Sequence, residues 1–416
     1  MNKTCLTLLI LLLPAPVMGG EQYSSDLRGY VEGEFLYFPR DAKFTGQHDS
    51  YFSIAAEPEY LLEWNKQDDI FTFKPFYRLD QHDNERTHGD IRELSWIHAA
   101  DTWELTTGFS KVFWGVTESI HLVDIINQTD LIENIDGEDK LGQPMAKLSL
   151  IHDWGVVDLF VLPYFRERTF PGKGGRPRFG IPVDTNEVFY ENSHDKNHVD
   201  FAVRWSQYFG DWDIGIAHFK GTAREPRFII QPKNINPATQ LPKLVNPIYE
   251  QINQTSVDIQ ATKGSWLWKL EAYTRSGQGQ RYTAAAGGFE YTFVGVFDSQ
   301  LDLGIISEYL FDGRNDEFKT STVQLNTPFS TAVFDNDVVL GTRLTFNDAQ
   351  STEILASLTI DSGGDGIFYN VEASTRLGDS WKLSMEFRGV NNVKEGTVES
   401  SFDDDDRIRM QLRRYF

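Results

Sequence analysis

The run Arg407-Ile408-Arg409-Met410-Gln411-Leu412-Arg413-Arg414-Tyr415-Phe416 puts Ile408, Met410, Leu412 and Phe416 on one side and Arg407, Arg409, Gln411 and Arg413 on the other. Successive side chains of a strand point to opposite faces, so the run reads as a strand with one apolar and one charged face. The same alternation recurs in Trp381 to Arg388, in Tyr369 to Leu377 and in Phe71 to Leu79. No long stretch follows the helical period instead.

A water-soluble sandwich also alternates. Three features place lipid, not water, against the apolar face. The strands run to about 9–12 residues, which suits a tilted crossing of the hydrocarbon layer. The connections alternate between tight and long, as in membrane barrels. The other face carries charges that a dry core rejects. The tight turns share a mark: Asp101-Thr102-Trp103, Asp153-Trp154, Gly210-Asp211-Trp212, Gly264-Ser265-Trp266 and Asp379-Ser380-Trp381 each set a tryptophan just beyond a polar turn. Indole has an apolar body and one N–H that wants water, so Trp103, Trp154, Trp212, Trp266 and Trp381 are candidates for an interfacial girdle.

The candidate strands begin with Asp26–Phe38, include Trp103–Trp114 and Val156–Arg168, and end with Arg407–Phe416. They number about 18, with 16 as the neighbouring even count. Pro58, Pro75 and Pro163 fall inside them, which predicts a bulge or a displaced boundary at each. The expected fold is all-β: a transmembrane antiparallel up-and-down β-barrel with several long outer loops, closed because an open sheet leaves unpaired amides in hydrocarbon.

Composition agrees. Thirty-nine Lys plus Arg against 61 Asp plus Glu give the 416-residue chain a formal net charge of −22, which argues against nucleic acid as a partner. The single cysteine, Cys5, leaves no disulfide, zinc-thiolate site or cysteine nucleophile. Lys3, the apolar stretch Leu6 to Leu13, Pro14, Pro16 and the small residues at Gly19 and Gly20 read as a secretory signal over residues 1–20, ahead of a single barrel domain over residues 21–416.

Closure sets the last strand beside the first. A basic wall of Arg28, Arg376, Lys382, Arg388, Arg407, Arg409 and Arg413 is then expected to line the interior, interleaved with Glu32, Glu34, Glu372 and Glu386; Asp302 and Glu308 are further inward acids. About 16–18 strands enclose an aqueous channel unless loops plug it. The long connections are Val116 to Gly142, Thr169 to Lys196, Ala223 to Asn253 and Arg314 to Phe334, whose length suggests either a fold into the lumen or an external lid. The first mixes acids with Ile120, Leu122, Ile125 and Ile126, so it packs on one side and stays wet on the other; Glu118, Asp124, Asn127, Asp130 and Glu133 are its candidate constriction residues. The glycines of Phe170 to Arg178 do not open a helix after a strand, so this basic run is not a phosphate-cradling loop.

Gly108-Phe109-Ser110-Lys111-Val112-Phe113-Trp114-Gly115, followed by Glu118, Asn127 and Asp130, resembles a group of uncharacterised Gram-negative outer-membrane barrels with a Trp-Gly-x-x-Glu-like element and then an Asn-x-x-Asp element. Tyr415-Phe416 resembles the C-terminal aromatic signal of porins, which makes Phe416 the candidate assembly signal. The resemblance implies a porin-like channel in the Gram-negative cell outer membrane, for passive or substrate-selective diffusion of small solutes. Its partners would be the lipid bilayer, lipopolysaccharide and the assembly machinery, with no cofactor and no catalytic centre. Two rivals are weighed against it. An outer-membrane enzyme acting on lipid or peptide would use Ser193, His194, Asp195 and His198, but no serine has a nucleophile context. A metal-bridged surface protein would use Asp403 to Asp406, which lack calcium-loop spacing. An export system using the same barrel is the third alternative.

Overall fold

The computed structural model describes residues 23–314, 325–329, 334–364, 366–395 and 399–416. The candidate signal segment lies outside the described residues. In chain order the strands are β1 (Ser24–Tyr37), β2 (Ser50–Trp64), β3 (Asp69–Asp80), β4 (His88–Ala99), β5 (Trp103–Ser110), β6 (Gln143–His152), β7 (Gly155–Leu162), β8 (Phe189–Tyr190), β9 (Asp200–Phe209), β10 (Trp212–Thr222) and β11 (Arg227–Ile229). They continue as β12 (Asn246–Tyr249), β13 (Gln251–Lys263), β14 (Trp266–Gly277), β15 (Gly279–Val296), β16 (Leu301–Asp312), β17 (Asn336–Thr345), β18 (Glu353–Asp361), β19 (Ile367–Leu377), β20 (Trp381–Asn391) and β21 (Arg407–Tyr415).

All but β8, β11 and β12 form one 18-stranded antiparallel sheet, in which each strand pairs with the next along the chain. The sheet closes through β1 and β21, with Glu32 opposite Arg413 and Phe35 opposite Met410. Gly29 and Phe416 exchange backbone hydrogen bonds of 3.1 Å beside that seam, so the last residue is part of the closure. The fold class and the strand count expected from the sequence both hold. Alternation survives closure: Leu27, Val31 and Phe35 are exposed on the outside, while Glu32 and Glu34 are buried inside.

The prolines act as their missing N–H requires. Pro58 leaves a gap in the β2–β3 ladder without changing register, and the register shifts between Lys74 and Pro75. Pro163 lies beyond β7, which ends at Leu162 rather than at Arg168. The strand expected at Trp103–Trp114 likewise stops at Ser110, where the chain leaves the wall. At one end the turns are short and carry the tryptophans; Trp154, Trp212, Trp266 and Trp381 are exposed there, while Trp103 is half-buried 5.3 Å from the His98 ring. At the other end the connections 111–142, 163–199 and 223–250 are long, yet β14 and β15 are joined there by Gln278 alone. Gly277 makes that turn: its φ is +117°, and a Cβ would lie 1.9 Å from the Gln251 carbonyl oxygen. Strands β8, β11 and β12 form a small separate sheet within the long connections.

Candidate functional site: a loop across the lumen

The connection 111–142 runs inward. Its base is fixed by Asn127, whose side-chain oxygen accepts from the Val112 N–H at 2.8 Å and whose amide donates to the carbonyls of Ser110 and Leu141 at 2.9 Å. From there the loop reaches the wall formed by β14, β16 and β17. Glu271 on β14 accepts from the N–H groups of Val116 (2.6 Å), Thr117 (2.9 Å) and Val123 (3.1 Å), and from the Thr117 hydroxyl (2.8 Å). Glu308 on β16 accepts from the N–H groups of Glu118 (2.8 Å) and Ser119 (2.9 Å). The Glu118 carboxylate meets Arg343 at 2.5 Å and Lys269 at 3.2 Å. Burial opposes its charge, but those two cations hold Glu118 below the usual carboxylate range.

The return arm binds the opposite wall. Asp130 pairs with Arg92 at 2.6 Å and Glu133 with Arg78 at 2.7 Å. Asn134 contacts Glu386 and Arg407, at 3.3 and 3.2 Å, and Asp136 lies 3.5 Å from Arg388. Asp124 is buried 3.3 Å from the Lys140 ammonium, and burial raises its carboxyl. Apolar packing supplies the rest: Trp114, Val123, Ile125 and Ile126 lie against Phe160, Leu162, Phe219 and Ile252, and Leu122 against Tyr273, Tyr282 and Leu310. The loop thus crosses a lumen that a count of strands alone leaves to water.

The basic wall is largely neutralised. Arg409 pairs with Glu34 (2.7 Å), Arg407 with Glu386 (3.1 Å), Arg388 with Glu372 (3.2 Å), Arg28 with Glu59 (2.5 Å), and Arg413 with Glu32. Arg376 and Lys382 stand opposite one another in register, and neither makes an ion pair among the described residues. Exposure varies around the wall: the side chains of Glu32 and Arg78 are 0% and 3% exposed, while those of Glu372 and Arg28 are 45% and 57% exposed. Asp302 takes a different role from the one expected, since it accepts from the Gly295 N–H and the Asn347 amide, both at 2.9 Å, and so holds a turn.

Residues tied to the rival readings are engaged in the outer loops. His198 Nδ1 lies 2.8 Å from Asp200, which also binds Arg224 at 2.8 Å. Asp403 pairs with Lys43 (2.5 Å), Asp404 with Arg40 (3.6 Å), Asp405 with Arg176 (2.7 Å) and Asp406 with Arg40 (3.2 Å). Arg176, from the glycine-rich basic run, is buried, and its guanidinium also donates to the carbonyls of Arg40 (3.0 Å) and Asp404 (2.7 Å). That run therefore clasps three loops together. The signal was present as a basic Gly/Pro run and a distant acidic run, but nothing in the sequence paired them.

His121, inside the loop, lies 3.4 Å from Glu138 and 3.8 Å from Glu271. Burial pulls its pKa down, but the two carboxylates push it up to about 10. A folded pKa above the unfolded value near 6.5 stabilises the fold fully below about pH 6.5, and that stabilisation is lost as pH rises through about 10. Thermal unfolding of the folded barrel is therefore expected to drop in temperature across that window. His121→Gln should flatten the dependence; an equal slope in the variant contradicts this assignment.

No protein-family model matches the chain, and no curated protein does. Among solved structures, the chain is similar to Pseudomonas aeruginosa OccD3 (OpdP), with a TM-score of 0.52 at 8% identity over 94% of this chain and 90% of that one. The fold is that of a porin-type barrel. A triple mutant of the Rhodopseudomonas blastica porin also aligns, over 94% of this chain and 100% of that one, with a TM-score of 0.43 at 11% identity.

Proposed function

We propose that this porin-type barrel is an outer-membrane channel for passive or substrate-selective diffusion of small solutes, with loop 111–142 as its constriction. The observation that carries the reading is the loop itself, held across a closed, charge-lined lumen by Glu271 and Glu308 on one side and by Arg78 and Arg92 on the other. A barrel that only anchored a surface domain would not need a charged interior with a loop tethered across it. Width and field then select solutes, since a wet, charged path lowers the barrier that hydrocarbon raises. In this reading residues 1–20 direct export, the turn tryptophans sit among lipid headgroups, Phe416 serves assembly, and lipopolysaccharide surrounds the outer loops.

Proteoliposome swelling tests it. Liposomes holding the refolded mature chain are expected to swell in small solutes of about 100–200 Da and to slow sharply with size, as a constriction requires. Swelling no faster than in protein-free liposomes, from protein shown to be folded, overturns the channel reading.

A further inference from the structure

Arg168 differs from the other buried arginines near the lumenal loop. Arg78, Arg92, Arg204, Arg224 and Arg409 each face a carboxylate at 2.8 Å or less. Arg168, in the connection between β7 and β9, makes no ion pair among the described residues; its Nε donates to the Gln128 side-chain oxygen at 3.3 Å. The carboxylate nearest in influence, Glu225, is already shared, 2.8 Å from Arg314 and 3.7 Å from Arg275. Burial lowers the Arg168 pKa, Glu225 opposes that, and Arg275 and Arg314 add to the lowering.

The surroundings are rich in donors and short of acceptors. Arg275 spends its Nε on the Gln254 side-chain oxygen at 2.8 Å, and Gln254 Nε2, on a residue only 1% exposed, has no acceptor among the described residues. An isolated buried cation is costly unless something neutralises it. Arg168 as a whole is half-buried. Its position joins the two parts of the obstruction: Gln128 belongs to the lumenal loop, and Tyr249, whose hydroxyl accepts from the Arg168 N–H at 2.9 Å, belongs to the small outer sheet.

We propose that Arg168, backed by Arg275 and Gln254, seats one anionic group, a carboxylate or a phosphate, of a solute entering from the long-loop side. A guanidinium fork matches both groups bidentately, and one guanidinium without a carboxylate calls for one anionic group. The inference rests on the channel reading and supplies its substrate class. It is tested apart from transport, by calorimetric titration of the refolded full-length mature barrel with inorganic phosphate, with succinate and with glucose. Phosphate or succinate is expected to bind the wild type and glucose not to; the tighter of the two anions identifies the group. Arg168→Met should weaken anion binding at least tenfold, with Arg168→Lys losing less. If Arg168→Met does not fold, Arg168→Gln takes its place, and the anion-dependent rise in the wild-type unfolding temperature should be absent from it. Binding unchanged in the variants, or no anion binding by folded wild type, overturns the seat. Failure of the channel reading shows instead as silent liposomes with the titration intact.

Discussion

Glu271→Ala is expected to release loop 111–142 from the wall. The carboxylate is fully buried and gathers three backbone N–H groups and one hydroxyl from the loop. Each buried donor left without a partner costs about 1–3 kcal/mol, so with four donors the anchored state loses about 4 kcal/mol or more relative to a released one. With about 1.4 kcal/mol per tenfold change, that moves the loop from held to mostly released. The packing of Trp114, Ile125 and Ile126 keeps the base of the loop in place, so the tip is the part expected to move. Limited proteolysis with a glutamate-specific protease reads it: the bond after Glu118, at the tethered tip, is protected in the wild type and cleaved in the variant, while the strands stay intact. Equal protection in both proteins contradicts the tether.

Arg78→Met is the second large effect, and it falls on the fold rather than on the loop tip. The Arg78 guanidinium lies 3.0 Å from Glu32, 3.8 Å from Glu34 and 2.7 Å from Glu133, and donates to the Ser53 hydroxyl at 2.7 Å. Arg86 meets Glu34 at 2.7 Å, so the group is a sealed network spanning β1, β3, the lumenal loop and β21. Removing one member of a buried ion pair leaves an uncompensated charge and costs about 3–5 kcal/mol. The unfolding midpoint in denaturant should fall accordingly. Glu133→Gln added to Arg78→Met removes one of the stranded charges and should recover part of the loss. An unchanged midpoint in the single variant contradicts the network.

The barrel was legible because its signal is local and repeated. Alternation marks every strand, and the Asp-Trp and Ser-Trp turns mark one end of the barrel. Boundaries failed where the same alternation continued after the wall had ended: Phe109 to Trp114 still reads as a strand, but the chain turns inward after Ser110. The mixed character of loop 111–142 marked it as a candidate constriction, with a fold into the lumen or an external lid both open, and its acids were named; their partners were not. Glu118 binds across the barrel to Arg343, and Asn134 to Arg407, and contacts that far apart in sequence leave no local trace. For the same reason the expected basic wall looked more charged than it is, since Glu32 and Glu34 quench Arg413 and Arg409 across the closing seam. Arg176 sits in a basic Gly/Pro run and Arg168 just before it. Only the fold shows that Arg176 has its carboxylate, while Arg168 has none among the described residues.

The central claim is that an 18-stranded lumen, narrowed by loop 111–142, conducts. Single-channel recording of the refolded mature protein in planar bilayers tests it, with Glu271→Ala recorded beside the wild type. The account predicts small stepwise openings in the wild type and a conductance several-fold larger in the variant. Silence from both proteins, each shown to be folded, or identical conductance in the two, would contradict it.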